Sequence, residues 1–247
     1  MHAPCRHTLA IAPATGGSPT SPVTRLVLQT LRTAVFGLLV LGACLFLPAG
    51  TLHYWQAWVF IVVFAISTNI IGLYLALRDP VLLERRKHVG PNAEQNPVQK
   101  VFAWITIFCC LGLLVFCGFD RRFGWSPVPP WVSVVGNVLI VLGLAITFVV
   151  LRQNPFSGST VERFEGQRVV STGLYGAVRH PMYVGALVMM VGLPLALDSW
   201  WGLAVFVVML PALVVRILDE ERLLRAQLSG YDEYTRRVRY RLVPGLW

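Results

Sequence analysis

A chain of 247 residues that is 55% hydrophobic and only 13% charged is poor in charge for a soluble domain, which carries about 25%. The apolar excess falls in long blocks, which argues for a membrane protein over a large soluble core. The net charge of +9 raises nucleic acid as a partner, but the arginines sit at the ends of the apolar blocks, so membrane topology explains them and nucleic acid is set aside.

In chain order, residues 1–24 are rich in Pro, Ser, Thr and Gly, show no apolar period and read as disordered. They lack the basic-then-apolar layout of a cleaved signal peptide. Six apolar blocks follow, over residues 33–50, 54–77, 101–119, 131–151, 181–197 and 199–218. Each is long enough to cross about 30 Å of hydrocarbon as a helix, the fifth only just. The fold class is therefore an all-α integral membrane helical bundle of five or six transmembrane helices. N-terminal helices over 25–130 are followed by a second membrane region over 131–247. The fifth and sixth blocks are separated only around Asp198 and Ser199, either of which can cap the sixth helix, so the pair reads as a tight helical hairpin. The shortness of the fifth block and Pro194 within it leave open whether that hairpin crosses fully. Of the five cysteines, Cys44, Cys109, Cys110 and Cys117 lie inside apolar blocks. With no CxxC or Cys/His spacing, they read as small hydrophobes and not as a metal site.

If all six blocks cross, the N-terminus, loop 78–100, loop 152–180 and the C-terminal tail share one side. That side holds all but Arg121 and Arg122 of the 21 Lys and Arg residues. The positive-inside rule then places it, with both termini, in the cytoplasm, and a re-entrant hairpin leaves the assignment unchanged.

The residues able to do chemistry gather in two places. One is the loop entering the fifth block, ending in Arg179-His180-Pro181-Met182-Tyr183-Val184-Gly185. Pro181 biases His180 away from helical geometry and suits the first helical position, so Arg179 and His180 mark a helix start whose unpaired N–H groups and dipole favour an anion. The same residues also fit a membrane-entry loop, with Arg179 reaching lipid phosphates and His180 capping. The other place is Arg216-Ile217-Leu218-Asp219-Glu220-Glu221-Arg222. Arg216 and Glu220 share a helix face. Arg216 is either a functional cation or one that snorkels to lipid phosphates. Asp219, Glu220 and Glu221 repel one another beside an anionic leaflet, which Arg222, Arg225 or a bound cation would relieve. A hairpin returns both places to the same membrane face. A zwitterionic small molecule with a positive centre, such as S-adenosylmethionine, would suit the pair.

The Arg179–Gly185 motif, Glu220-Glu221 and the ending Tyr231…Tyr234…Arg241-Leu242-Val243-Pro244 resemble the isoprenylcysteine carboxyl methyltransferase family, which belongs with the membrane phospholipid methyltransferases. The resemblance covers residues 130–247. It implies S-adenosylmethionine contacts from Gln167, Arg168, Val169, Val170, Tyr175, His180, Pro181, Met182, Tyr183 and Glu220, with Arg216 facing the methyl acceptor. Gln167 stands where some members carry histidine.

Three functions follow. The first is S-adenosylmethionine-dependent methyl transfer to a lipidic acceptor in the membrane, either an isoprenylcysteine-type carboxylate or a phospholipid-type amine. A carboxylate needs no general base and can be oriented by Arg216, whereas an amine must lose a proton, for which Glu221 is the nearest candidate. The second is an NADPH-dependent membrane reductase of sterol-reductase-like architecture, against which the acidic run speaks. The third is a non-catalytic membrane protein. The oligomeric state is not legible in the sequence.

Overall fold

A computed structural model describes residues 22–87, 97–154 and 169–247. The chain divides into two units, residues 1–37 and 38–247. In the first, the described residues are the opening turns of helix α1 (Pro22–Ala49). The second holds the remainder of α1 and, among the described residues, α2 (Trp55–Arg78), α3 (Pro80–Lys87), α4 (Pro97–Phe123), α5 (Pro130–Gln153), α6 (Leu174–Ala177), α7 (Pro181–Ala196), α8 (Trp201–Gln227) and α9 (Tyr231–Arg237). Five helices, α1 over Arg32–Ala49 together with α2, α4, α5 and α8, are long and apolar enough to cross a bilayer. The architecture is an all-α integral membrane helical bundle.

The apolar blocks locate the long helices to within a few residues, with two differences. Helix α1 opens at Pro22, so residues 22–24 are helical, while residues 1–21 lie outside the described ones. Helix α8 runs nine residues past its apolar block, to Gln227, because polar partners hold its acidic end. Outward faces stay apolar, as with Leu39, Ile70, Phe108, Val138 and Val208, each more than half exposed and suited to lipid.

At one end of the bundle, six of the eight tryptophans (Trp55, Trp58, Trp125, Trp131, Trp200 and Trp201) are exposed, as at a membrane–water interface. Behind them lies a buried polar knot. Asp120 accepts from Ser126 N at 2.8 Å and from the Ser126 and Ser199 hydroxyls. Asp198 accepts from Val128 N at 2.7 Å and from Arg121 at 3.1 Å. Ser199 caps α8 by accepting from Gly202 N at 3.0 Å, while Asp198 adopts a left-handed φ of 62° in the turn. The Tyr54 hydroxyl donates to the Leu197 carbonyl. The α7–α8 turn thus lies level with the loops at residues 50–54 and 124–129. It does so although the 16 residues of α7 rise only about 24 Å.

Helices α5 and α7 pack backbone to backbone through Gly136, Gly143, Gly185 and Gly192. A Cβ on Gly143 would stand 2.5 Å from the Gly185 carbonyl and 2.8 Å from Met189 N, closer than atoms tolerate. The seam sinks the start of α7 into the bundle, where His180 and Pro181 are buried.

This arrangement places residue 127 and α9 at opposite ends of the spans. In a cysteine-free background, a membrane-impermeant thiol reagent applied to intact cells should label either Pro127→Cys or Arg236→Cys, both exposed positions, but not both. Labelling of both would contradict the helix count.

Candidate active site

The hairpin register builds the site. Tyr183 precedes Ser199 by 16 residues and Arg216 follows it by 17, so an antiparallel pair sets them opposite each other. Arg216 Nε donates to the Tyr183 hydroxyl at 3.0 Å, and that hydroxyl donates to Glu220 Oε2 at 2.6 Å. One turn further, His180 Nε2 lies 3.3 Å from Glu221 Oε1. The helix start and the acidic helix end named from sequence are therefore in contact.

Glu221 is the hub. It is 3% exposed, and its Oε1 also takes Arg179 Nη1 at 3.0 Å, while Oε2 takes Arg241 Nη2 at 3.0 Å and Nε at 3.2 Å. Backbone bonds join the same partners: Arg179 N donates to the Tyr240 carbonyl at 2.9 Å and His180 N to the Arg241 carbonyl at 3.0 Å. Arg241 also lies 5.1 Å from the centre of the Trp247 ring. Burial pulls the Arg179 guanidinium below its usual range, and Glu221 opposes that shift.

The acidic run resolves into three separate partnerships. Asp219 accepts from the Gln99 amide, Glu220 from Tyr183, and Glu221 from the cations just described. Arg216, 8% exposed, donates through Nη1 to the Gln99 carbonyl, and its guanidinium lies 4.8 Å from the centre of the Phe102 ring. It is packed inside the protein. Gln99 and Phe102 did not emerge from the sequence. Gln99, beside Lys100 on the polar first turn of an apolar helix, gave no signal that set it apart.

The loop side is held from several directions. Gly173, with φ of 60°, brings the chain against Gln153, whose Oε1 accepts from Leu174 N at 3.0 Å. Tyr175 takes a bond from Asn154 at 3.1 Å, and its carbonyl accepts from the Tyr234 hydroxyl at 2.8 Å. Val169 packs on buried Tyr231, Tyr234 and Val238. Burial pushes both phenols well above the usual tyrosine range. Val170, Tyr175, Met182, Tyr183 and Glu220 are half-buried, Met182 against Leu75, Leu82 and Leu151, while His180 and Pro181 are buried. Gln167 and Arg168 lie outside the described residues.

Two similarities to known proteins bear on this chain. Residues 131–229 match the family described as phospholipid methyltransferase. A further similarity is to Delta(14)-sterol reductase TM7SF2 of Mus musculus, at 33% identity over 101 residues, covering 38% of this chain and 24% of that protein. The chain thus spans about a quarter of the length of that relative.

Removing the hub charge tests the geometry. Glu221→Gln leaves buried Arg179 and half-buried Arg241 without a counter-charge and should cost about 3–5 kcal/mol of stability. The amides of Arg179 and His180, bonded to the tail, should exchange hydrogen much faster. Unchanged exchange at both would contradict the clamp.

Proposed function

We propose that this chain, whose residues 131–229 match the phospholipid methyltransferase family, transfers a methyl group from S-adenosylmethionine to a lipidic acceptor in the membrane. The observation that carries this is the contact between the α7 start and the acidic end of α8, through Tyr183–Glu220 and His180–Glu221. A cationic, zwitterionic ligand needs a carboxylate and an anion-binding donor within one molecule's reach. Glu220 offers the first, and the second falls to side chains, because the N–H groups of Arg179 and His180 bond the tail and those of Tyr183 and Val184 bond the His180 carbonyl. Arg179 Nε, buried and without a hydrogen-bond partner, is a further donor suited to a carboxylate.

S-adenosylmethionine would supply an activated methyl group. The residues that would hold it are Val169, Val170, Tyr175, His180, Pro181, Met182, Tyr183 and Glu220, with Gln167 and Arg168 included on the sequence resemblance alone. Arg216, one turn deeper than Glu220, faces the acceptor that arrives from the lipid. With both partners held in line, positioning supplies most of the rate effect. Both oxygens of Glu221 already accept from cations, so its part is to fix Arg179, His180 and Arg241 in place. To take a proton from an amine it would first have to release one of them. The positive-inside distribution puts this corner and both termini in the cytoplasm, so Pro127→Cys is the variant expected to label from outside.

A second reading, an NADPH-dependent membrane reductase, is favoured by the match to the mouse sterol reductase. Glu220, at the mouth of the corner, repels a polyphosphate. Calorimetry on detergent-purified protein separates the two. S-adenosylmethionine should bind and NADPH should not. His180→Ala and Glu220→Ala should each weaken S-adenosylmethionine binding by about 1.5–3 kcal/mol, the worth of one charge-assisted hydrogen bond. Arg216→Lys should keep cofactor affinity but slow transfer, because lysine lacks the planar fork. Tight NADPH binding with none for S-adenosylmethionine would reverse the assignment.

A further inference from the structure

We propose that Gln99, on the first turn of α4, is a positioning residue for the methyl acceptor, which extends the site to a helix outside the 131–229 segment; the proposal rests on the methyl-transfer reading above. Gln99 is fully buried. Its carbonyl accepts from Arg216 Nη1, and its amide nitrogen donates to Asp219 Oδ2. A buried amide is costly unless both ends are satisfied, and here a cation takes one end and an anion the other. An apolar residue would fill the space without making either bond. A carboxylate would draw Arg216 into an ion pair and repel Asp219. A neutral amide alone satisfies both neighbours without adding charge.

The consequence is a fixed guanidinium. Gln99 holds one edge of Arg216 and Tyr183 another, while Phe102, three residues along the same face of α4, lies 4.8 Å from its centre. With these partners the guanidinium is held in plane, and its residual motion is removed before the acceptor arrives. The cofactor part of the site then lies between α7 and α8, and the acceptor part between α4 and α8, with Tyr183 touching both.

The test uses the full chain in detergent as wild type, Gln99→Met, which keeps the volume, and Gln99→Glu, which keeps the shape. Melting temperature and S-adenosylmethionine affinity are measured beside methyl transfer to three probes: S-farnesylcysteine, phosphatidylethanolamine vesicles and a lipid extract of the host membrane. In Gln99→Met, cofactor affinity should stay within about twofold, while kcat/KM for the acceptor falls about tenfold, the worth of one lost hydrogen bond to a charged group. Gln99→Glu should lose at least as much. A merely structural role would lower melting temperature and cofactor affinity together with transfer, and that outcome overturns the proposal. So does unchanged kcat/KM in either folded variant. If Gln99→Met fails to fold, Gln99→Glu carries the same comparison, and failure of both to fold assigns Gln99 to structure. Wild type that binds no S-adenosylmethionine defeats the methyltransferase reading itself. Wild type that binds it but methylates none of the probes removes the acceptor site on which Gln99 is placed.

Discussion

The site depends on one buried carboxylate. Glu221 reaches the start of α7 through Arg179 and His180, and the C-terminal tail through Arg241. Burying a carboxylate alone costs several kcal/mol, and only paired, hydrogen-bonded partners offset that cost. The sequence therefore commits three separated segments to meet at one point. Where they meet, the backbone N–H groups of Arg179 and His180 are spent on the tail. The residues next along, Tyr183 and Glu220, bond each other and are left at partial exposure.

The far end of the bundle makes that geometry reproducible. Asp120 and Asp198 tie the α7–α8 turn to the end of α4 and the loop before α5. The glycine seam fixes α7 against α5. With both the turn and the seam fixed, the hairpin cannot slide, and a shift of one turn would part Tyr183 from Arg216 and Glu220. The polar knot and the seam thus act at a distance on a corner that neither of them touches.

Much of this was legible in the sequence. Hydropathy blocks located the long helices, because a bilayer demands continuous apolar runs. Pro181 marked the start of α7, and the hairpin at Asp198 and Ser199 returned that start to the same membrane face as the acidic end of α8. What the sequence hid was long-range. The partner of Arg216 lies 117 residues away at Gln99, and that of Glu221 is split between Arg179 and Arg241. No local periodicity encodes such pairs. The acidic run looked self-repelling because its three side chains could not be assigned to three directions without the fold. The short helix α3 went unseen because it lacks an apolar stripe.

The central claim is that the corner between the α7 start and the α8 end holds the methyl donor. Hydrogen–deuterium exchange on the detergent-purified chain, with and without saturating S-adenosylmethionine, tests it most directly. The account predicts slowed exchange in peptides covering residues 169–183 and 216–222. No change is expected at residues 120–133, at the opposite end. Protection confined to the opposite end, or none in either region at a concentration that saturates calorimetric binding, would contradict it.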